Sequence, residues 1–272
     1  MPAFHHSLRF AWRRARLESR RLLIAALLLQ AGACWAAPHS DSLLSWEHWK
    51  DSAQRAASDS GTWMPLAGAA VIAAGGWDDQ WQQSLSRHGP LFRDEGEAAS
   101  NHLLQLGTAL YATSVVFAAP ENTAFDDSLD WKLTNLATFV ASKSSVDELT
   151  GAFKQASGRE RPDGVPDDAF PSRHSATSAA QTTLTRRNLD YIGMNPTLRD
   201  AAKVGLHALD GLTGLARVEA DQHYPTDVLA GIALGNFVSS FAFNLLLEPG
   251  QDYQLSVVPA LDGYALQTQF AF

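Results

Sequence analysis

A chain of 272 residues, 46% hydrophobic and 18% charged, has the apolar content for one large domain or two small ones with full cores. Its formal net charge is -8, yet residues 1–36 carry six arginines against one glutamate and leave the remainder at -13. An acidic body excludes a nucleic-acid binder, which needs a basic footprint. A single cysteine, Cys34, excludes a disulfide framework and a cysteine-built metal centre.

Residues 1–36 have the pattern of an export signal. Arg9, Arg13, Arg14, Arg16, Arg20 and Arg21 form a basic start, 22–33 is an uncharged apolar core, and Cys34 and Ala36 suit cleavage before Ala37. An uncleaved anchor and a lipoprotein-type cleavage at Cys34 are the other readings of this stretch. Each of them puts the body of the protein beyond the inner membrane, in the periplasm, with membrane association open. The predicted organisation is therefore a signal at 1–36, a helical domain at 37–250 and a C-terminal β-hairpin at 251–272.

Residues 39–61 predict an amphipathic helix carrying Leu43, Trp46 and Trp49, expected to pack on the domain. Mostly apolar helices follow at 62–76, 102–119, 131–149 and 228–247, with more polar ones at 175–189 and 200–216. Polar loops are expected at 77–101, 120–130, 163–170 and 190–199. The uncharged run 228–247 is long enough to span a bilayer. However, Asp200, Lys203, His207 and Asp210 on one neighbour, and the Ser/Thr content of another, cross a bilayer only at high cost. A mean hydropathy of -0.14 agrees with a soluble or peripherally attached bundle. At the C-terminus, two alternating runs flank Asp262-Gly263, a two-residue hairpin signal. Two strands cannot close a barrel, so the hairpin is expected to pack its apolar face on the helices, with outer-membrane contact as the alternative.

Three stretches hold residues suited to chemistry on an anion. RVEADQHYPTD (217–227) sets Pro225 at the first turn of a helix, with His223 and Asp227 spaced four apart at its entrance. A carboxylate beside an imidazole fixes its tautomer and leaves the other nitrogen free to attack or to take a proton. Arg217 offers a planar fork suited to phosphate oxygens. KQASGRERP (154–162) spaces Lys154 and Arg161 two turns apart if helical, with Gly158 and Pro162 marking a fraying end. PSRHSATSAA (171–180) puts Ser172, Arg173 and His174 where a loop becomes a helix, an anion-binding position. A capped helix end, a solvated basic patch and a structural His–Asp pair are the non-functional readings of each stretch alone.

In order, the stretches spell K-x6-R-P, P-S-x-H and R-x5-H-x3-D. This resembles the three-part signature of the type 2 phosphatidic acid phosphatase superfamily, which includes bacterial acid phosphatases and vanadium haloperoxidases. The resemblance covers about 100–248 and implies an all-α helical bundle of that type. It further implies that His223 attacks phosphorus to form a phosphohistidine, that Asp227 orients it, and that His174 protonates the leaving group. Lys154, Arg161, Ser172, Arg173 and Arg217 would bind the phosphoryl oxygens. Three fixed cations supply the charge stabilisation that a metal gives elsewhere, so no metal and no cofactor are expected. The chain departs from the pattern twice: Arg173 stands where glycine is usual, raising the question of a strained positive φ, and Ala216 replaces a common serine.

The sequence thus predicts a metal-independent envelope phosphohydrolase acting on a phosphorylated small molecule or lipid, with possible peripheral membrane contact. A vanadate-dependent haloperoxidase and a non-catalytic envelope binding or assembly protein are the alternatives. No G-x-S-x-G or Walker A motif is present, and His39, His48, His88, His102 and His207 lack metal-ligand spacing.

Overall fold

Asp59 shows how side chains set the element boundaries. It leaves helical geometry at φ -62 and ψ 133, and its carboxylate accepts from the Gly61 N–H at 2.8 Å. The helix boundary expected between 61 and 62 falls here instead, because a new helix starts on this cap. The computed structural model describes residues 45–120 and 125–248, and the backbone of 253–260 and 263–270; side chains are described for 45–120 and 128–248. The expected export signal at 1–36 lies outside the described residues.

Eight α-helices are present among the described residues: α1 (Trp46–Ser58), α2 (Ser60–Gly75), α3 (Asp78–His88), α4 (Gly96–Phe117), α5 (Phe125–Ser157), α6 (Arg173–Asn188), α7 (Pro196–Glu219) and α8 (Pro225–Leu246). The all-α bundle is as expected. Helix α8 is its axis, packed against α1, α2, α3, α5, α6 and α7. It is long and apolar enough to cross a membrane, yet 72% of its apolar window is buried inside the bundle. Its glycines allow close approach to α6: a Cβ at Gly231 would lie 2.5 Å from the Ser172 carbonyl oxygen, and one at Gly235 would collide with that of Ala176.

Helix α6 buries thirteen of its sixteen residues although it is rich in Ser and Thr. Buried hydroxyls need partners, and α7 and α8 supply them. Ser178 and Thr182 donate to Asp210, and Thr183 donates to Asn236. Arg186 pairs with Asp210 at 3.3 Å, so each buried charge has its counter-charge.

Several boundaries differ from expectation for identifiable reasons. The polar loop predicted at 77–101 contains α3, whose Asp78 and Asp79 open the first turn and whose Arg87 and His88 close the last. That arrangement complements the helix dipole without an apolar stripe. Helix α5 extends past 149 to Ser157 and stops at Gly158, which has φ +59. Helix α7 starts earlier than 200, on the Asn195 cap with Pro196 at its first turn, and continues through Arg217. Trp49 packs on Phe241 with ring centroids 5.6 Å apart, but Trp46 remains 71% exposed rather than packed as expected. Backbone pairing between Tyr253–Ala260 and Gly263–Phe270 is antiparallel. The expected packing of their apolar face on the helices concerns side chains outside the described residues.

Candidate active site

Three helix ends meet: the C-terminus of α5 with its following loop, the N-terminus of α6, and the α7–α8 junction. A backbone hydrogen bond joins the last two, and another closes the turn of the α7–α8 junction. Ser172 N–H donates to the Asp227 carbonyl at 2.9 Å, and Gln222 N–H donates to the Arg217 carbonyl at 3.1 Å.

His223 is 1% exposed and precedes α8 rather than sharing a helical face with Asp227 as the spacing suggested. The helix begins only at Pro225, and helix capping brings the two together. Asp227 Oδ2 accepts the Tyr224 N–H at 2.9 Å and stands 3.7 Å from His223 Nδ1, an ion-pair distance beyond hydrogen bonding. His223 Nδ1 has no hydrogen-bond partner among the described residues. Burial pushes the His223 pKa below its ordinary value, with Lys154 and Arg217 adding to the fall and Asp227 opposing it. A neutral imidazole results, the form that attacks an electrophile.

Lys154 and Arg161 are brought together by a third residue, not by helical spacing. Arg161 lies in the loop after α5. Lys154 Nζ, on a residue 5% exposed, donates to the Asp168 carbonyl at 2.6 Å and to its Oδ1 at 2.5 Å. Arg161 forms an ion pair with the same carboxylate and donates from Nε to the Asp168 carbonyl at 3.2 Å. Arg217 is buried on α7. Its Nη1 donates to Ser100 Oγ at 3.2 Å, while its Nε has no partner among the described residues. Burial, then the nearby Arg161, lowers the Arg217 pKa to about 10.

His174 lies in the first turn of α6, with Nε2 3.0 Å from Asn101 Oδ1. Burial lowers its pKa to about 3, and Arg217, His223, Arg161 and Lys154 all push the same way. The predicted cations and both histidines therefore share one electrostatic neighbourhood. Ser172 is fully buried as the α6 N-cap, its Oγ accepting from Ser175 N–H at 3.4 Å and from Ser175 Oγ–H at 3.1 Å. Arg173 has no positive φ; it is the first residue of α6, so the anticipated strain does not arise. Its side chain is 53% exposed and 4.0 Å from Asp147, at the rim of the cluster.

Sequence reasoning missed Ser100, Asn101, Asp168, Asp78 and Arg159. The last donates from Nη1 to Asp227 Oδ1 at 2.7 Å and from Nη2 to Asp78 Oδ2 at 2.6 Å. Arg159 and Asp168 lie between recognised motif residues, the one signal that pointed to them. Ser100, Asn101 and Asp78 carry no local signal.

Residues 132–249, which hold every predicted site residue, match the sequence model of the PAP2 superfamily. Over these residues, a little under half of the chain, the protein is similar to the PAP2 superfamily. The chain is similar to the lipid A 1-phosphatase of Porphyromonas gingivalis, 33% identical over 95 residues, which is 35% of this chain and 20% of the relative. The chain thus spans about a fifth of the length of that curated relative. Among solved structures, the transmembrane PAP2-type phosphatidylglycerolphosphate phosphatase of Bacillus subtilis aligns with a TM-score of 0.49 at 20% identity, over 71% of this chain and 96% of that one.

Proposed function

We propose that the protein is a phosphohydrolase that works through His223 on a lipid phosphate. The observation that carries this reading is the grouping of Lys154, Arg161 and Arg217 around the two histidines, with the buried Nε of Arg217 lacking a hydrogen-bond partner among the described residues. Buried donors without partners are rare in proteins unless a ligand satisfies them.

In the proposed reaction, His223 Nε2, the ring nitrogen away from Asp227, attacks phosphorus and the bond to the ester oxygen breaks. His174 gives that oxygen a proton. Water then attacks the phosphohistidine, His174 takes a proton from it, and inorganic phosphate leaves with His223 restored. Lys154, Arg161 and Arg217 bear the phosphoryl charge, as a metal would elsewhere. A dianion seated among these cations offsets their repulsion of a proton on His174 and raises its pKa toward a working general acid.

Lipid is favoured over a small ester by the apolar exterior. Leu106, Leu110 and Phe117 on α4 are exposed, as are Leu129, Leu133, Leu136 and Val140 on α5. Their spacing puts each set on one helical face. Trp46, Trp63, Trp77 and Trp81 are exposed as well, a residue type that favours the membrane–water interface. Contact with the surface of an envelope membrane is the partner these faces suit.

The test is phosphate release by the purified full chain in excess chelator, from lipid A 1-phosphate in vesicles and from a soluble aryl phosphate, with His223→Ala alongside. Release that persists in chelator, is lost in the variant and is faster from the lipid is the expected result. No release from either substrate by folded protein overturns the proposal, and bromination with peroxide and added vanadate would move the protein to the haloperoxidase reading.

A further inference from the structure

Asp227 is completely buried, and a buried carboxylate needs a counter-charge. His223 is a poor candidate, since its Nδ1 is 3.7 Å away and burial favours the neutral ring. The cation that meets Asp227 directly is Arg159, through Nη1 to Oδ1 at 2.7 Å. The same guanidinium donates to Thr226 Oγ1 at 2.9 Å and to Asp78 at the start of α3 at 2.6 Å, and lies 4.0 Å from the centroid of the Tyr224 ring. Asp78 in turn accepts the Thr226 N–H at 3.0 Å and the Thr226 hydroxyl.

We propose that Arg159 is a positioning residue for the reaction: its fork holds the Asp227 carboxylate in place behind His223 and fastens both to the first turn of α3. One oxygen of Asp227 is taken by Arg159, which leaves the other to the Tyr224 N–H and the His223 ring. The guanidinium also offsets much of the carboxylate's charge, so Asp227 orients the imidazole without drawing a proton onto it. A planar fork spans two carboxylates; the single ammonium of a lysine does not reproduce that geometry.

The groups that set the charge state of His223 are Asp227, Lys154 and Arg217, with His174 and Asp168 also within electrostatic range and Arg159 and Asp78 behind Asp227. Removing Arg159 leaves Asp227 unopposed and stabilises protonated His223. The inference rests on His223 acting as the nucleophile, so its primary readout does not depend on turnover.

The experiment is a nitrogen-15 histidine NMR titration of the full chain, with the His223 signals assigned by their loss in His223→Ala, beside pH–rate profiles on vesicle lipid A 1-phosphate. In Arg159→Gln the His223 midpoint is expected to rise by roughly one pH unit, and the acid limb of kcat/KM to move with it. A residue of purely structural importance would lower the melting temperature and leave both midpoints in place. That outcome, in folded protein, overturns the proposal. Arg159→Lys is the second variant should Arg159→Gln fail to fold. It keeps the charge and the midpoint but loses the bridging geometry, so kcat is expected to fall about tenfold at unchanged KM. A kcat equal to wild type in that variant overturns the positioning role. If the wild type releases no phosphate, the phosphohydrolase reading fails and the NMR midpoint alone judges Arg159.

Discussion

The Lys154 ammonium stands 2.5 Å from the carboxylate of Asp168, the acid that also pairs with Arg161. Two of the three cations proposed to receive a phosphoryl group are thus already matched by an internal anion. Burial raises the Asp168 pKa, but Lys154 and Arg161 outweigh it and the net shift is downward. A depressed carboxylate pKa contributes stability at pH values above the unfolded value near 3.9, lost as pH falls through the folded one. Asp168→Asn should therefore cost stability at neutral pH and tighten anion binding together. Inhibition by inorganic phosphate is expected to strengthen about five- to tenfold, measured as Ki, with phosphate recovering part of the lost melting temperature. An unchanged Ki would mean that Asp168 leaves these cations when substrate binds.

His174 gives a second prediction, with a defined pH window. Its pKa is near 3 in the fold against about 6.5 in the unfolded chain. Between these values the unfolded state binds the proton and the folded state does not, so stability falls as pH drops from about 6.5 toward 3. The slope from this one group is at most about 1.4 kcal/mol per pH unit, and less because the ring is only half-buried. His174→Asn should flatten the fall in melting temperature across that window, leave stability above pH 7 unchanged and lower kcat on lipid phosphate by about 10²–10⁴-fold. A melting profile parallel to wild type would contradict the burial argument.

Arg217 differs from the other two cations because no carboxylate pairs with it among the described residues and its Nε is unsatisfied there. Its binding capacity is the most available to substrate. Arg217→Lys keeps charge but loses the planar fork, and kcat/KM should drop by about 10²–10³-fold. Ser100→Ala, which removes only the Nη1 acceptor, should cost less than tenfold. Steady-state kinetics of the two variants check the ordering.

The motifs were legible because each needs only a short stretch: a Pro-started helix at Pro225, a Ser cap at Ser172 and a glycine stop at Gly158 are local chemistry. What joins them was not. Asp168 links Lys154 to Arg161 across a loop whose path no periodicity encodes, and the α5 spacing suggested a helical link that Gly158 ends. Helix α3 was hidden for a related reason. DDQWQQSLSRH has little apolar stripe, and only its charged ends and Gly89 signalled a helix. Asp78, which holds Arg159, stands 149 residues from Asp227, beyond any pattern read along the chain. The His223–Asp227 pair was recognised by spacing, yet capping geometry rather than a shared helical face creates it.

Exposed apolar faces make the last prediction, which separates membrane contact from chemistry. Leu133 and Val140 are 49% and 58% exposed on one face of α5. Burying such a side chain in hydrocarbon contributes about 1.5–3 kcal/mol, and an aspartate in its place reverses the sign. Leu133→Asp with Val140→Asp should therefore reduce binding to sedimented vesicles by at least about 10²-fold. Because neither residue touches the cations or the histidines, turnover of a soluble aryl phosphate should stay within about twofold of wild type while turnover of lipid in vesicles falls. If both substrates lose activity equally, the substitutions have damaged the bundle, which a melting curve would reveal. If vesicle binding persists in a folded double variant, the membrane contact lies elsewhere, and the exposed tryptophans of α1 to α3 are the next face to substitute.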